Sequence, residues 1–125
     1  PADIDRVGMT AALRRAFAAA IAEVEAQGVA VDVVLLDGNP LHLDPREVNV
    51  VKGDGKCASI AAASLVAKVA RDHVMEAYAE QYPGYGFESN KGYGSEGHMA
   101  AIRERGLCPI HRRSFCSFAA QESLF

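Results

Sequence analysis

The feature that most constrains how this chain can fold is the run Val29 to Leu36, apolar and rich in valine apart from Asp32, which stops at Asp37-Gly38-Asn39-Pro40. A continuous apolar run of this length suits a strand covered on both faces, and Asp-Gly with Asn-Pro is a strong turn signal. A second short strand is expected over Val48 to Val51, running into the glycine-rich turn Lys52-Gly53-Asp54-Gly55-Lys56. Ligand sites in α/β sheets gather where strands end at their carboxyl side, so both turns fall where chemistry is to be sought.

Helical patterns surround the strands. Met9, Leu13, Ala16, Phe17, Ala20, Ile21 and Val24 recur at helical spacing before Gly28, which predicts an amphipathic scaffold helix over residues 10–27. A long helix is expected from about Ala58 to Tyr82, with Ala61, Ala62, Ala63 and Ala67 small enough for close packing on a sheet. Lys68 and Asp72 form an i,i+4 pair on its charged side. Pro83-Gly84-Tyr85-Gly86 ends that helix, Asn90 to Gly94 forms a loop, and Ser95 can cap a further helix through about Arg105, stopped by Gly106. The segment Cys108 to Phe115 reads as extended and basic. The expected class is α/β, a sheet flanked by helices with a helical carboxyl-terminal part. With half of 125 residues apolar and no repeat or linker, a single unit over residues 1–125 is expected.

Composition excludes some functions. The longest largely apolar stretch, Cys57 to Ala67, spans eleven residues, against the ~20 of a membrane span, so no membrane partner is expected. Pro1-Ala2-Asp3-Ile4-Asp5 has no signal-peptide character. Three cysteines in neither C-x-x-C nor zinc spacing are read as reduced thiols of a cytoplasmic protein. A net charge of −3 gives no global basic signature. The distribution is uneven: residues 1–50 carry four Lys/Arg against eight Asp/Glu, and residues 51–125 carry nine against eight. Phosphate contacts are therefore expected in the second part.

Neighbouring strands ending at Asp37 and just before Asp54 would bring two carboxylates to one sheet edge, hard oxygen ligands suited to Mg²⁺ or Mn²⁺. The commoner use of Asp before Gly is to bond its own turn backbone, and the residues alone leave both uses open. Lys52 and Lys56 can meet a phosphate or stay solvated. Tyr93, in Lys91-Gly92-Tyr93-Gly94, can pack its ring against a sugar or base, or cover a core edge. His111-Arg112-Arg113 can touch phosphate or form a solvated patch. His42, His73 and His98 share no ligand spacing and are read as structural. Ser59 and Ser64 lack a nucleophile elbow, and the glycine-rich turn lacks P-loop spacing.

Taken in order, several blocks resemble bacterial ribonuclease HII: Leu36-Asp37-Gly38-Asn39, Val51-Lys52-Gly53-Asp54, Ser59 through Asp72, Asn90-Lys91-Gly92-Tyr93-Gly94-Ser95 with His98, and His111 through Phe115. The resemblance runs from Ile4-Asp5-Arg6 to Phe115. It implies a ribonuclease H-like fold, here partial, and an endonuclease that cuts the RNA strand of RNA–DNA hybrids. Four acidic residues of that family hold two divalent ions, Mn²⁺ or Mg²⁺, ~3.5–4 Å apart. Asp37 and Asp54 match the third and fourth acids, catalytic and metal-binding together. Asp54 is preferred over Asp72 because it stands in the Lys-Gly-Asp position. Tyr93 matches the tyrosine that packs on the deoxyribose at an RNA–DNA junction, and Lys52 is placed with it in substrate binding.

The departures are definite. The family's first strand carries an Asp-Glu pair followed by Gly-Arg-Gly, and neither occurs in these 125 residues. Ser95 stands where threonine is usual, and Asn90 where histidine is frequent. The chain is expected to correspond to a carboxyl-terminal portion, with the family's amino-terminal segment as a partner. The alternatives are a non-catalytic nucleic-acid-binding segment and a structural fragment. Two of four carboxylates cannot balance two divalent cations, so the pure chain is expected to show little or no hybrid cleavage with Mn²⁺. Turnover in that assay would refute the expectation.

Overall fold

The computed structural model describes residues 1–118, in which five α-helices and a two-stranded parallel sheet make a mixed α/β protein. The chain packs as two compact units, one of residues 6–66 and one of residues 1–5 with 67 onward. No helix among the described residues is long and apolar enough to cross a membrane.

In the unit of residues 6–66, α2 (Met9–Ala26) matches the expected scaffold helix within one residue at each end. Its apolar stripe is not covered: Met9, Leu13, Phe17 and Val24 are all exposed. Strand β1 (Val34–Asp37) pairs in parallel with β2 (Glu47–Val50), Val34 opposite Glu47 and Asp37 opposite Val50. The strand expected over Val29 to Leu36 is therefore half as long. Its cause is the partner: the ladder begins at Glu47, and the carbonyl of Val31 instead accepts from the Arg46 guanidinium at 2.9 Å. Nor are both faces covered, since Leu36 is buried while Val33 and Leu35 are exposed.

Arg46 also forks onto the Asp44 carboxylate and pairs with Glu25, and its side chain holds Asp44 well below the usual carboxylate range, at about 2. Glu47 accepts from the backbone N–H groups of Leu41 and Leu43, which folds the connection between the strands. Helix α3 (Ala58–Gln81) follows as expected, but Ala62, Ala63 and Ala67 are exposed rather than packed on a sheet.

The unit of residues 1–5 with 67 onward has the larger core. Met75, Tyr85, Phe87, Ala101 and Ile102 are buried together, with Phe87 the most enclosed. Tyr85 and Phe87 stack at 5.4 Å, on either side of the start of the short helix α4 (Phe87–Asn90), whose last residue was expected to open the loop Asn90 to Gly94. Ser95 caps α5 (Glu96–Arg105), its hydroxyl accepting from the His98 N–H, and Gly106 ends it, as the sequence predicts.

The segment expected to be extended is not. It turns at residues 109–110 and forms a 3₁₀ turn over Arg113–Phe115. Asp5, from α1 (Ala2–Val7), takes the N–H groups of Arg113 and Ser114 and the Ser114 hydroxyl, capping that turn from the far end of the sequence. These bonds hold the Asp5 carboxyl below its usual range, the Ser114 hydroxyl first among them. His111, just before that turn, is buried, edge-on to Tyr85.

Burial, with the facing His98 adding to it, pushes the His111 imidazole below its ordinary pKa. The folded state thus disfavours that proton, and the contribution is complete above about pH 6.5 and drains away as pH falls below it. The titratable residues in contact with His111 are His98, Cys108, through its thiol, and Tyr85, through its ring. Asp5, Asp44, Glu47, Asp72 and Glu76 are all lowered, so their stabilisation is kept until pH drops to about 4 and below. The thermal midpoint is therefore expected to fall between pH 7 and pH 5, a fall that His111→Gln removes. A flat profile in the unsubstituted chain would count against the buried neutral imidazole.

Candidate functional site

Asp37 is the last residue of β1, and the register sets it opposite Val50, the last of β2. Both strands therefore release the chain at the same sheet edge. Immediately beyond β2 the backbone folds back: Lys52 adopts a left-handed conformation, φ 54 and ψ 44, and Gly53–Gly55 forms a 3₁₀ turn. A left-handed lysine is uncommon and costs energy that the surroundings must offset.

The reversal aims the Gly53 N–H at Asp37, whose Oδ1 accepts it at 2.8 Å across sixteen residues. Glycine is required there by space. A Cβ at position 53 would lie 2.6 Å from Ile60 Cδ1, 3.3 Å from Val50 Cβ and 3.4 Å from Asp37 Oδ1. Gly53 and Ile60 are buried, so the turn is seated on the first turn of α3.

Asp54 follows directly, exposed like Asp37. Its Oδ1 accepts from the Gly55 N–H at 3.0 Å. Asp54 thus bonds its own turn, whereas Asp37 reaches across to the neighbouring strand's exit. Each carboxylate uses one oxygen on a backbone N–H, and its second oxygen meets no donor among the described residues. Lys52 is exposed beside them.

The donors fit a hard divalent cation in kind. No group of three or more His, Cys, Asp or Glu gathers among the described residues, and the carboxylates at this edge are oxygen donors of the kind that Mg²⁺ accepts together with water. Asp72 is instead paired with Lys68, which lowers its carboxyl and raises the lysine.

Tyr93 belongs to the other unit. Its ring is 67% exposed, with the Arg71 guanidinium 5.1 Å from the ring centroid. The loop beneath is fastened from several sides. Arg71 donates to the Lys91 carbonyl at 2.8 Å, Gly92 N–H to Asn90 Oδ1 at 2.8 Å, and Asn90 Nδ2 to the Tyr85 carbonyl at 2.7 Å. Lys91 is left-handed too, φ 50, and pairs with Glu76. Of the basic cluster, His111 is turned inward, Arg112 lies over Phe115 at 3.9 Å, and Arg113 is exposed. Sequence reading missed the Arg71–Tyr93 contact, for which the only signal was an arginine one turn beyond Lys68.

Parallel strands whose exits carry two open carboxylates, followed by a long helix, define an α/β protein with an acidic edge site. Comparison with known proteins gives the family: a ribonuclease HII family profile matches residues 2–118. The chain is 49% identical over 105 residues to a ribonuclease HII of Bacillus licheniformis, covering 84% of this chain and 41% of that protein. It is 46% identical over 113 residues to one of Geobacter metallireducens, covering 90% and 52%, and 46% identical over 128 residues to one of Maricaulis maris, covering 100% and 57%. The chain belongs to the ribonuclease HII family, and its fold to the ribonuclease H-like class. It spans between 41% and 57% of the length of these relatives.

Gly53→Ala tests the edge geometry. It is expected to destabilise the chain by about 1–3 kcal/mol through overpacking and to shift the Asp37 resonances, read by denaturant unfolding and by NMR. Unchanged stability with unchanged Asp37 signals would mean that the turn is not seated as described.

Proposed function

We propose that this chain is the carboxyl-terminal part of an endonuclease that hydrolyses the RNA strand of RNA–DNA hybrids, with Asp37 and Asp54 as two of its four metal-binding carboxylates. The observation that carries the reading is the bond from the Gly53 N–H to Asp37 Oδ1, which ties one carboxylate to the residue preceding the other. Asp37 and Asp54 would hold Mg²⁺ or Mn²⁺ through their open oxygens. Bound there, divalent ions supply activation of water and stabilisation of the leaving 3′ oxygen. The chain's own work is positional: the Gly53 amide fixes the rotamer of Asp37, and the Gly55 amide that of Asp54. Lys52 places a cation beside the acidic edge, where a phosphate of the duplex can meet it.

Tyr93 is the substrate-facing ring, offered from a fastened loop for packing against a sugar at the junction of RNA and DNA. The absence of Asp-Glu and Gly-Arg-Gly from these 125 residues supports little or no activity of the chain alone, with the family's amino-terminal segment as the complementing partner. A second reading, nucleic-acid binding without catalysis, is favoured by the Tyr93 loop, whose bonds need no ion.

Titration of the whole chain with Mn²⁺, followed through its amide signals, separates the two. Joint broadening at Asp37 and Asp54, lost in Asp37→Asn, is expected for the catalytic reading. Silence at both positions would leave only the binding one.

A further inference from the structure

The largest polar system that the edge site does not use lies in the core of the other unit. His98 and His111 are 5% and 8% exposed, and their Nε2 atoms face each other at 3.0 Å. His98 Nδ1 lies 2.7 Å from the Tyr93 carbonyl oxygen, and His111 Nδ1 accepts the Cys108 N–H at 2.9 Å. Phe87 meets both imidazoles, edge-on to His98 at 5.3 Å, and Tyr85 meets His111. Buried groups so enclosed must satisfy one another.

Only one arrangement of protons does so. A backbone N–H can only donate, so His111 Nδ1 is bare, and a neutral His111 then carries its proton on Nε2. That N–H must donate to His98 Nε2, leaving His98 with its proton on Nδ1. The Tyr93 carbonyl can only accept, and it receives that proton's bond. Charging His98 would set two N–H groups against each other at the 3.0 Å contact, and charging His111 would set its Nδ1–H against the Cys108 amide, in line with the lowered pKa of His111. The chain of donors runs in one direction, from the Cys108 amide to the backbone of Tyr93.

We propose that His98 is a positioning residue for Tyr93, with His111 holding it in the one tautomer that can grip the Tyr93 carbonyl. The inference deepens the proposed function and rests on Tyr93 being its substrate-facing ring. His98 grips the backbone, so the ring stays open to a ligand while its base is held. Ser95 N–H shares the same carbonyl at 2.9 Å, which ties the start of α5 to the same point.

Long-range ¹H–¹⁵N spectra of the unsubstituted chain read both tautomers directly. His98 is expected as Nδ1–H and His111 as Nε2–H, and His98 as Nε2–H would overturn the proposal. Two variants then separate grip from packing, because an Asn amide stands where imidazole Nδ1 stood and a Gln amide where Nε2 stood. His98→Asn keeps a donor for the Tyr93 carbonyl, whereas His98→Gln keeps only the partner of His111. Hydrogen exchange at the Tyr93 amide is expected to quicken by roughly fivefold in His98→Gln, the loss of one net hydrogen bond, and to stay near that of the unsubstituted chain in His98→Asn. Equal acceleration in both would show a merely structural histidine. Affinity for a duplex with one RNA–DNA junction is expected to follow the same order, with Tyr93→Ala the weakest. If Tyr93→Ala binds as well as the unsubstituted chain, the assignment of Tyr93 fails, while the tautomers and exchange rates still decide what His98 does.

Discussion

The bond between Asp37 Oδ1 and the Gly53 amide is the contact on which the acidic edge depends. Asp37 would otherwise be a carboxylate on an exposed strand end, free to rotate. Accepting a backbone N–H fixes its rotamer and draws the exit of β2 back over the end of β1. Three residues make that approach possible. Lys52 takes the left-handed conformation that reverses the chain, Gly53 contributes no Cβ, and Ile60 fills the space a side chain would have taken. The strain at Lys52 is local, and the stabilisation that offsets it comes from across the sheet. Such strain is concentrated where geometry matters more than stability.

Much of this was legible in the sequence because the signals were local. Ser95 and Gly106 bound α5 as written, α2 and α3 begin and end within one residue of expectation, and both Asp-Gly turns lie at the same sheet edge. The misses share a different cause. β1 stops short because residues 29–33 lack a paired neighbour and Arg46 takes the Val31 carbonyl. Cys108 to Phe115 curls because Asp5, 108 residues before Arg113, caps its 3₁₀ turn. Nothing in the spacing of His98 from His111 announced that the two rings would meet in the core. Periodicity reports what a segment prefers, and these outcomes were set by partners remote in sequence.

The apolar surface is distributed in a telling way. Along α3, Leu65, Val66, Val69 and Val74 are 45–70% exposed, and Val33, Val48 and Val51 are exposed around the sheet. Covering side chains of this size stabilises a protein by roughly 1.5–3 kcal/mol each when burial is complete. A partner that covered them would therefore raise the stability of the chain as it bound, by mass action. The core around Phe87 is closed within its own unit, by its stacked rings and by the helix and 3₁₀ turn that Ser95 and Asp5 cap.

The role proposed for Tyr93 asks a loop to serve recognition without being loose. Its ring is open to solvent, yet the peptide groups around it are bonded to Asn90, Arg71, Ser95 and His98. Immobilising a side chain on binding costs about 0.5–1.5 kcal/mol, and a backbone already ordered adds little to that. Arg71 further narrows the ring's freedom by lying 5.1 Å from its centroid, while leaving most of the ring exposed. The ordering cost of the loop is thus met during folding, by hydrogen bonds within the protein. An aromatic presented in this way can be selective for what it packs against, because the backbone that carries the ring cannot shift toward a poorly placed partner.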